Sequence, residues 1–219
     1  MTVDLTGGPK LVIVRHGETT GQSSIRFFGR TDVELSDLGR RQLDAARLFL
    51  TCEYGLKKFP LVFSSPLVRA IEGARLIGES APIVKIAEFA EVDFGLYEGL
   101  TRDEIAARFP DEFARWNVNR IAQDYVYPGG ESRIAFAERV ARGREAMLDR
   151  MRAFGDLSGS AVLLVAHRGV IREITRALAG IEPAIELASI QILAPDAPDL
   201  SRWRAVAIDL TAHLGEPEM

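Results

Sequence analysis

The chain has 219 residues, a net charge of -4 and a single cysteine, and 47% of its residues are hydrophobic. This length suits one α/β domain with a sizeable core, and we predict a single domain over residues 1–219. The acidic balance argues against a nucleic-acid surface, which would be basic. Membrane insertion and secretion are not expected either: no apolar stretch approaches the roughly 18 residues of a membrane span, and residues 1–10 lack the pattern of a signal peptide.

Short apolar runs alternate with helical patterns along the chain. The apolar, β-branched runs predict strands at 11–14, 61–63, 83–86, 162–166, 190–193 and 203–208. The periodic segments between them predict helices at 37–50, 66–77, 102–109, 111–116, 131–154 and 169–179. Ser36 and Ser65 are the predicted N-caps of the first two helices, and Pro66 stands at a favoured first position. The alternation favours a three-layer α/β/α sandwich with a mainly parallel central sheet and a helical insertion over about 95–130.

Three of the predicted strands end in polar residues that suit a phosphate. The first runs directly into Arg15 and His16, the second into the segment from Ser64 to Arg69, and the fourth into His167. Ligands of open α/β sheets bind at the carboxyl ends of the strands. Arginine matches phosphate oxygens with a bidentate fork, and the helix that follows His167 begins with free N–H groups. If these strands are neighbours, a dianionic phosphoryl group fits between them.

The same residues suggest a reaction. A neutral imidazole is a competent nucleophile toward phosphorus, and flanking arginines neutralise the charge of the transferring group. A proton donor for the leaving oxygen is also needed, and the apolar segment 89–95 offers Glu91 and Asp93. The residue pattern alone does not choose between these two carboxylates.

Taken together, these motifs resemble the histidine phosphatase superfamily, the phosphoglycerate mutase-like proteins, over nearly the whole chain. Arg15-His16-Gly17-Glu18-Thr19 is similar to the signature of that family. The further matching segments occur in the family's order, at 26–36, 64–70, 91–99, 128–132 and 167–172.

The resemblance implies roles for individual residues. His16 would be phosphorylated during turnover, while Arg15, Arg69 and His167 would hold the phosphoryl group. Glu91, rather than Asp93, would be the acid and later the base on water. The family needs no cofactor or metal, and we predict none.

Further residues are expected to contact the substrate. The resemblance places Arg26, Phe28 and Gly29 in a substrate-side loop. Gln22 stands where the family usually has Asn, and Gly21 stands where Trp is common. Gln22 can still donate its amide to a phosphate oxygen. Arg168 replaces the more usual Gly after the second histidine, and we expect it to add positive charge at the rim of the pocket.

We predict a phosphatase that acts on a small phosphorylated metabolite. Mutases of the family resemble Glu-Arg-x-Tyr at the acid, whereas this chain has Glu91-Val92-Asp93-Phe94. Without that Arg and Tyr, a second phosphorylated group is held less well in the pocket. We therefore expect water, rather than a second substrate group, to accept the phosphoryl group. The alternatives are a phosphoglycerate mutase-type transferase and a catalytically weak protein that only binds a phosphorylated ligand.

Several questions stay open at this level. His16, His167 and Glu91 could ligate a metal, although the nearby arginines would repel a cation. Phe28, Tyr97 and Trp116 either line the substrate's distal end or pack the insertion. The sequence assigns Glu98 a local hydrogen-bonding role and assigns nothing to His213, which lies in a segment, 211–219, expected to be loose.

The lone Cys52 fits a reducing compartment, and we predict a cytoplasmic location. The sequence leaves the oligomeric state open, with a homodimer as one option.

Overall fold

A single mixed sheet forms the centre of the structure, a computed structural model that describes residues 8–119, 122–197 and 199–215. Its six strands lie in the order β3-β2-β4-β1-β5-β6. The strands are β1 (Lys10–Arg15), β2 (Leu61–Ser64), β3 (Ile83–Lys85), β4 (Ala161–Ala166), β5 (Ile190–Pro195) and β6 (Trp203–Leu210).

The four strands from β3 to β1 are parallel, and β5 runs antiparallel to both of its neighbours. β1 and β4 pair in register, from Lys10 opposite Ala161 to Arg15 opposite Ala166. Ser64 at the end of β2 lies opposite Val165 of β4. The carboxyl ends of β1, β2 and β4 therefore meet at one edge of the sheet, as the sequence predicted.

Helices cover both faces of the sheet. They are α1 (Asp37–Tyr54), α2 (Val68–Gly78), α3 (Arg102–Arg108), α4 (Pro110–Asn119), α5 (Arg133–Ala153) and α6 (Arg168–Ala179). Because side chains alternate along a strand, Val12 and Val14 pack with α1 and α2, whereas Leu11 and Ile13 pack with α5 and α6. This arrangement confirms the three-layer α/β/α sandwich.

The insertion has a small aromatic core of its own. Tyr97, Ile105 and Trp116 are buried together, and the Phe27 ring lies 5.7 Å from the Trp116 ring, centroid to centroid. Of the three aromatic residues with an open role, Tyr97 and Trp116 therefore pack the insertion. Phe28 is half-buried.

The predicted start of α2 was wrong. The helix begins at Val68, not at Pro66, and the side chain of its cap residue Leu67 makes no capping hydrogen bond. The Ser65 hydroxyl accepts the Leu67 N–H at 3.3 Å, as the predicted cap would, and it also lies 2.6 Å from His167 Nε2. Asp32 Oδ1 accepts the Val68 N–H at 2.8 Å, so a loop from elsewhere in the chain completes the cap of this helix.

Part of the C-terminal segment is ordered, contrary to expectation. Residues 212–214 form a 3-10 turn, and His213 Nε2 lies 3.0 Å from the Ala188 carbonyl oxygen. Residues 216–219 lie outside the described part of the chain, as do residues 1–7 of the segment judged not to be a signal peptide. Within the described residues, no helix has the length and apolar character that crossing a bilayer requires.

Candidate active site

His16 is buried at the end of β1 with one ring nitrogen engaged. Its Nδ1 lies 2.8 Å from the Gly17 carbonyl oxygen. A carbonyl oxygen can only accept, so Nδ1 carries the hydrogen and Nε2 of a neutral ring has a free lone pair. Burial lowers the pKa of His16 well below its usual value, and the charges of Arg69 and Arg15 lower it further. The ring is therefore neutral at pH 7, and the lone pair of Nε2 is free.

His167 lies beside it at the end of β4. The two ring centroids are 5.1 Å apart, and burial together with Arg69 lowers the pKa of His167 as well. Its Nε2 contacts Ser65 Oγ at 2.6 Å, and its buried Nδ1 has no partner among the described residues. If the Ser65 hydroxyl donates to Nε2, the neutral ring carries its hydrogen on Nδ1 and can donate it to an anion.

Ser65 was expected only as a helix cap, and its contact with His167 was missed. The two residues are 102 positions apart in the chain. Only the pairing of β2 with β4 brings them together, and no local sequence pattern encodes it.

The guanidinium of Arg15 is a buried cation that has unused hydrogen-bond donors. Its Nη1 donates to the Ile185 carbonyl at 3.0 Å, and its buried Nε has no partner among the described residues. Burial and the nearby Arg168 lower the pKa of Arg15 to about 10, which leaves it charged at neutral pH. An anion beside His16 would satisfy the free donor.

Arg69 holds the predicted substrate-side loop from inside. Its fully buried guanidinium donates to the backbone carbonyls of Phe28, Gly29 and Thr31 at 3.2, 2.8 and 2.9 Å. Its Nε is buried without a partner within the described part of the chain. Arg69 therefore both fixes the loop and keeps a free donor next to the histidines.

Glu98 holds the same loop through its amides. Its carboxylate accepts N–H groups of Gly29, Arg30 and Thr31 at 3.1, 3.1 and 3.2 Å, and that of Phe94 at 3.0 Å. A Cβ on residue 29 would overlap the Val92 carbonyl oxygen, so the close approach requires glycine. Glu98 thus makes the expected local hydrogen bond, with Phe94, and in addition holds a loop almost 70 residues away.

The two candidate acids occupy different surroundings. Glu91 is buried, and its carboxylate oxygens accept the N–H groups of Val92 at 3.0 Å and Gly169 at 2.9 Å. Gly169 lies in the first turn of α6, two residues after His167, and a Cβ there would overlap the Glu91 carboxylate. Asp93 accepts the Gly95 N–H at 2.9 Å and is 3.9 Å from Arg30. Only Glu91 is thus tied to the His167 strand end.

The remaining predicted substrate ligands differ in placement. Arg26 is engaged elsewhere, since its Nη1 donates to Glu104 at 2.6 Å and to the Gly99 carbonyl at 2.8 Å. These contacts hold the insertion, and a contact of Arg26 with substrate stays a prediction. Gln22 is exposed, with φ of 62°. Phe28 and Gly29 belong to the loop that Arg69 and Glu98 hold, and Arg168 is exposed beside Arg15.

A strained segment supports the site from behind, and no pattern in the sequence predicted it. Ile185 is buried with φ of 58°, an unfavourable conformation for a β-branched residue. The Asp209 carboxylate accepts the N–H groups of Ala184 at 2.7 Å and Ile185 at 3.0 Å. This clamp aims the Ile185 carbonyl at Arg15, and the Ala188 N–H donates to the His16 carbonyl at 3.1 Å.

The described residues contain no cluster of three or more His, Cys, Asp or Glu side chains arranged to hold a metal ion.

Replacing Glu98 by Gln should destabilise the loop. The amide keeps the length of the side chain but offers one acceptor oxygen and turns an NH2 group toward N–H donors. We expect the free energy of unfolding to fall by about 1–3 kcal/mol, because buried donors lose their partners. Denaturant unfolding measures the loss, and amide hydrogen exchange should be faster at Gly29, Arg30 and Thr31. The control is Glu53→Gln, an exposed site; equal stability of both variants would contradict the clamp.

The buried histidines should make stability depend on pH. In the unfolded chain both histidines bind protons near their ordinary pKa of 6.5, whereas in the folded protein their lowered pKa values keep them unprotonated at that pH. The free energy of unfolding should therefore fall as the pH drops below 6.5, by up to about 1.4 kcal/mol per pH unit for each histidine. Urea unfolding between pH 7 and 5 should show a shallower slope for His16→Asn than for the wild type. An unchanged slope would mean that His16 is protonated in the folded state.

Comparison with known proteins places this site in a family. The model of the histidine phosphatase superfamily (branch 1) matches residues 11–198. A glucosyl-3-phosphoglycerate phosphatase of Mycolicibacterium vanbaalenii is 34% identical over 176 residues, which cover 78% of this chain and 75% of that protein. A protein of Mycobacterium tuberculosis named as bifunctional is 34% identical over 169 residues, 76% of this chain, but the match spans only 43% of its own length.

Solved structures agree. The native structure of a mycobacterial glucosyl-3-phosphoglycerate phosphatase has a TM-score of 0.75 and 28% identity, and the alignment covers 93% of this chain and 99% of that one. The alpha-ribazole phosphatase of Shigella flexneri has a TM-score of 0.74 over 92% of this chain and 96% of that one; at 22% identity it shares the fold. The strand-end histidines, the buried arginines and the matched residues together establish that this chain belongs to the histidine phosphatase superfamily.

Proposed function

We propose that the chain is a phosphomonoesterase that works through a phosphohistidine on His16 and acts on a small phosphorylated metabolite. The observation that carries this proposal is the state of His16, a buried neutral imidazole whose Nδ1 is held by the Gly17 carbonyl at 2.8 Å. The free donors of Arg15 and Arg69 and the Nδ1 of His167 adjoin it. The named functions of the relatives, which include glucosyl-3-phosphoglycerate phosphatase, support the same class of substrate.

In the first step, His16 Nε2 attacks phosphorus and the bond from phosphorus to the ester oxygen breaks. Arg15, Arg69 and His167 hold the phosphoryl oxygens and neutralise their charge. The leaving oxygen takes a proton from the carboxylic acid form of Glu91. Glu91 is favoured over Asp93 because its contact with the Gly169 N–H keeps it beside the His167 strand end, whereas Asp93 faces Arg30.

In the second step, water attacks phosphorus and the bond between phosphorus and Nε2 breaks. Glu91, now a carboxylate, accepts a proton from that water. The products are inorganic phosphate and the free imidazole of His16, and Glu91 is again a carboxylic acid. No step uses a metal ion or a cofactor. The cytoplasmic location and the homodimer stay predictions.

Hydrolysis of an aryl phosphate tests the nucleophile directly. We expect wild-type protein to hydrolyse p-nitrophenyl phosphate in the presence of a chelator, and His16→Ala to lose at least about a thousandfold in kcat, since the covalent route is gone. His213→Asn is the matched control, because this histidine lies outside the site.

Substantial turnover by His16→Ala would contradict the phosphohistidine intermediate. Loss of wild-type activity in the presence of the chelator would contradict a metal-independent reaction. Inactivity of the wild type, with phosphate binding retained, would favour the phosphate-binding alternative, or a mutase with a more demanding substrate.

The acid can be identified from leaving groups. Glu91→Gln cannot donate a proton to the ester oxygen, so kcat/KM should fall about a hundredfold or more for an alkyl phosphate, but far less for p-nitrophenyl phosphate, whose phenolate leaves without help. Asp93→Asn is the matched variant and should lose little with either ester. Equal losses of Glu91→Gln on both esters would contradict its role as the acid.

A further inference from the structure

The first turns of α6 present two arginines that the phosphoryl site does not use. Arg168 and Arg172 are four positions apart on the helix, so their side chains are neighbours on one face. Neither guanidinium forms a hydrogen bond or an ion pair with another described residue. Arg176, one further turn along, is paired with Glu173 at 2.9 Å and Glu182 at 2.8 Å. Like charges at this spacing destabilise a helix, so the unpaired couple carries an energetic cost.

The helix start places this pair beside the candidate site. Arg168 lies between His167, whose ring is 5.1 Å from that of His16, and Gly169, whose N–H donates to Glu91. Burial lowers the pKa of Arg15 and of Arg172, and the charge of Arg168 lowers both further. The charges of Glu182 and Glu91 act on Arg172 in the opposite direction. The arginine pair is therefore on the side of the site where Glu91 would meet the leaving alcohol.

The arginines near the site are not neutralised by ion pairs. Carboxylates do lie near them: Glu91, Glu18 and Glu186 near Arg15, Asp32 and Glu98 near Arg69, and Glu182 near Arg172. Among the described residues, none of these carboxylates forms an ion pair with Arg15, Arg69, Arg168 or Arg172, and Glu182 is paired with Arg176. The buried Nε atoms of Arg15 and Arg69 keep free donors. A phosphoryl group at His16 would engage those donors and leave Arg168 and Arg172 without a partner.

We propose that Arg168 and Arg172 form a subsite for a second anionic group, a carboxylate or a second phosphate, on the alcohol half of the substrate. This inference rests on the proposed function, because it takes the phosphoryl group to lie at His16 and the alcohol toward Glu91. Guanidinium forks bind both kinds of anion, so the substrate class is a phosphate monoester of a small alcohol that carries an acidic group.

Two ligand pairs test the subsite by calorimetric binding. 3-Phosphoglycerate and glycerol 3-phosphate differ by a carboxylate in place of a hydroxymethyl group, and propane-1,3-diol bisphosphate and its monophosphate differ by the second phosphate. We expect the His16→Ala protein, which lacks the proposed nucleophile and so does not hydrolyse these esters, to bind at least one doubly anionic ligand about tenfold more tightly than its partner, and the favoured pair identifies the anion. Equal affinity within both pairs, or no binding of any of these ligands, would overturn the proposal.

The variants Arg168→Gln and Arg172→Gln should each reduce that preference to about threefold or less and change the affinity for the singly phosphorylated ligand by less than about twofold. The control Arg75→Gln removes an exposed arginine of α2, on the other face of the sheet, and should change neither value. If a variant loses the same affinity for both members of a pair, the arginines act only through a general positive potential, and the subsite is overturned. Because binding is measured in the His16→Ala background, with the arginine variants added to it, a preference found there while the wild type is inactive on aryl phosphate would refute the proposed reaction and leave the subsite standing.

Discussion

The packing of two guanidinium groups and two imidazoles side by side, with no ion pair to a described carboxylate, is the constraint on which the rest of the structure depends. Burying a cation costs free energy unless polar groups surround it. Here backbone carbonyls take that role, from Ile185 for Arg15 and from the 28–31 loop for Arg69. Carbonyls stabilise the cations without cancelling their charge. Burial, reinforced by that uncancelled charge, keeps both histidines neutral and ready for an anion.

The same constraint explains why distant segments of the chain converge on the site. The 28–31 loop offers its carbonyls to Arg69 and its amides to Glu98, so a cation and a carboxylate on different elements hold one strip of backbone. Asp32, at the end of that strip, caps α2, the helix that carries Arg69. The loop and the arginine thus position each other, and neither could be ordered at the site without the other.

The parts predicted from the sequence were those with a local signature. Apolar runs that stop at Arg15, Ser64 and His167 identified the three converging strand ends, because strand length and polarity are local properties. A serine before a proline has the pattern of a helix cap, and the Ser65 hydroxyl does accept the Leu67 N–H, but its contact with His167 was missed because strand pairing sets it. The ion pair of Arg26 was missed for a similar reason, since only the folded insertion brings Glu104 to it. The support from Ile185 and Asp209 depends on the β5–β6 hairpin and on backbone conformation, which side-chain patterns do not encode.

That hairpin explains the one departure from a parallel sheet near the site. Antiparallel pairing lets the segment before β5 pass behind the end of β1, where Ile185 and Ala188 both adopt positive φ. Such conformations cost about 1–3 kcal/mol each and persist when the surroundings fix them. Asp209 on β6 supplies two of the fixing hydrogen bonds, and His213 beyond it contacts the Ala188 carbonyl. The strained carbonyl of Ile185 then aims Arg15, and the Ala188 amide holds the backbone of His16. The edge of the sheet furthest from α2 therefore orients the nucleophile and its neighbouring cation, while α2 and its loop provide the opposite wall.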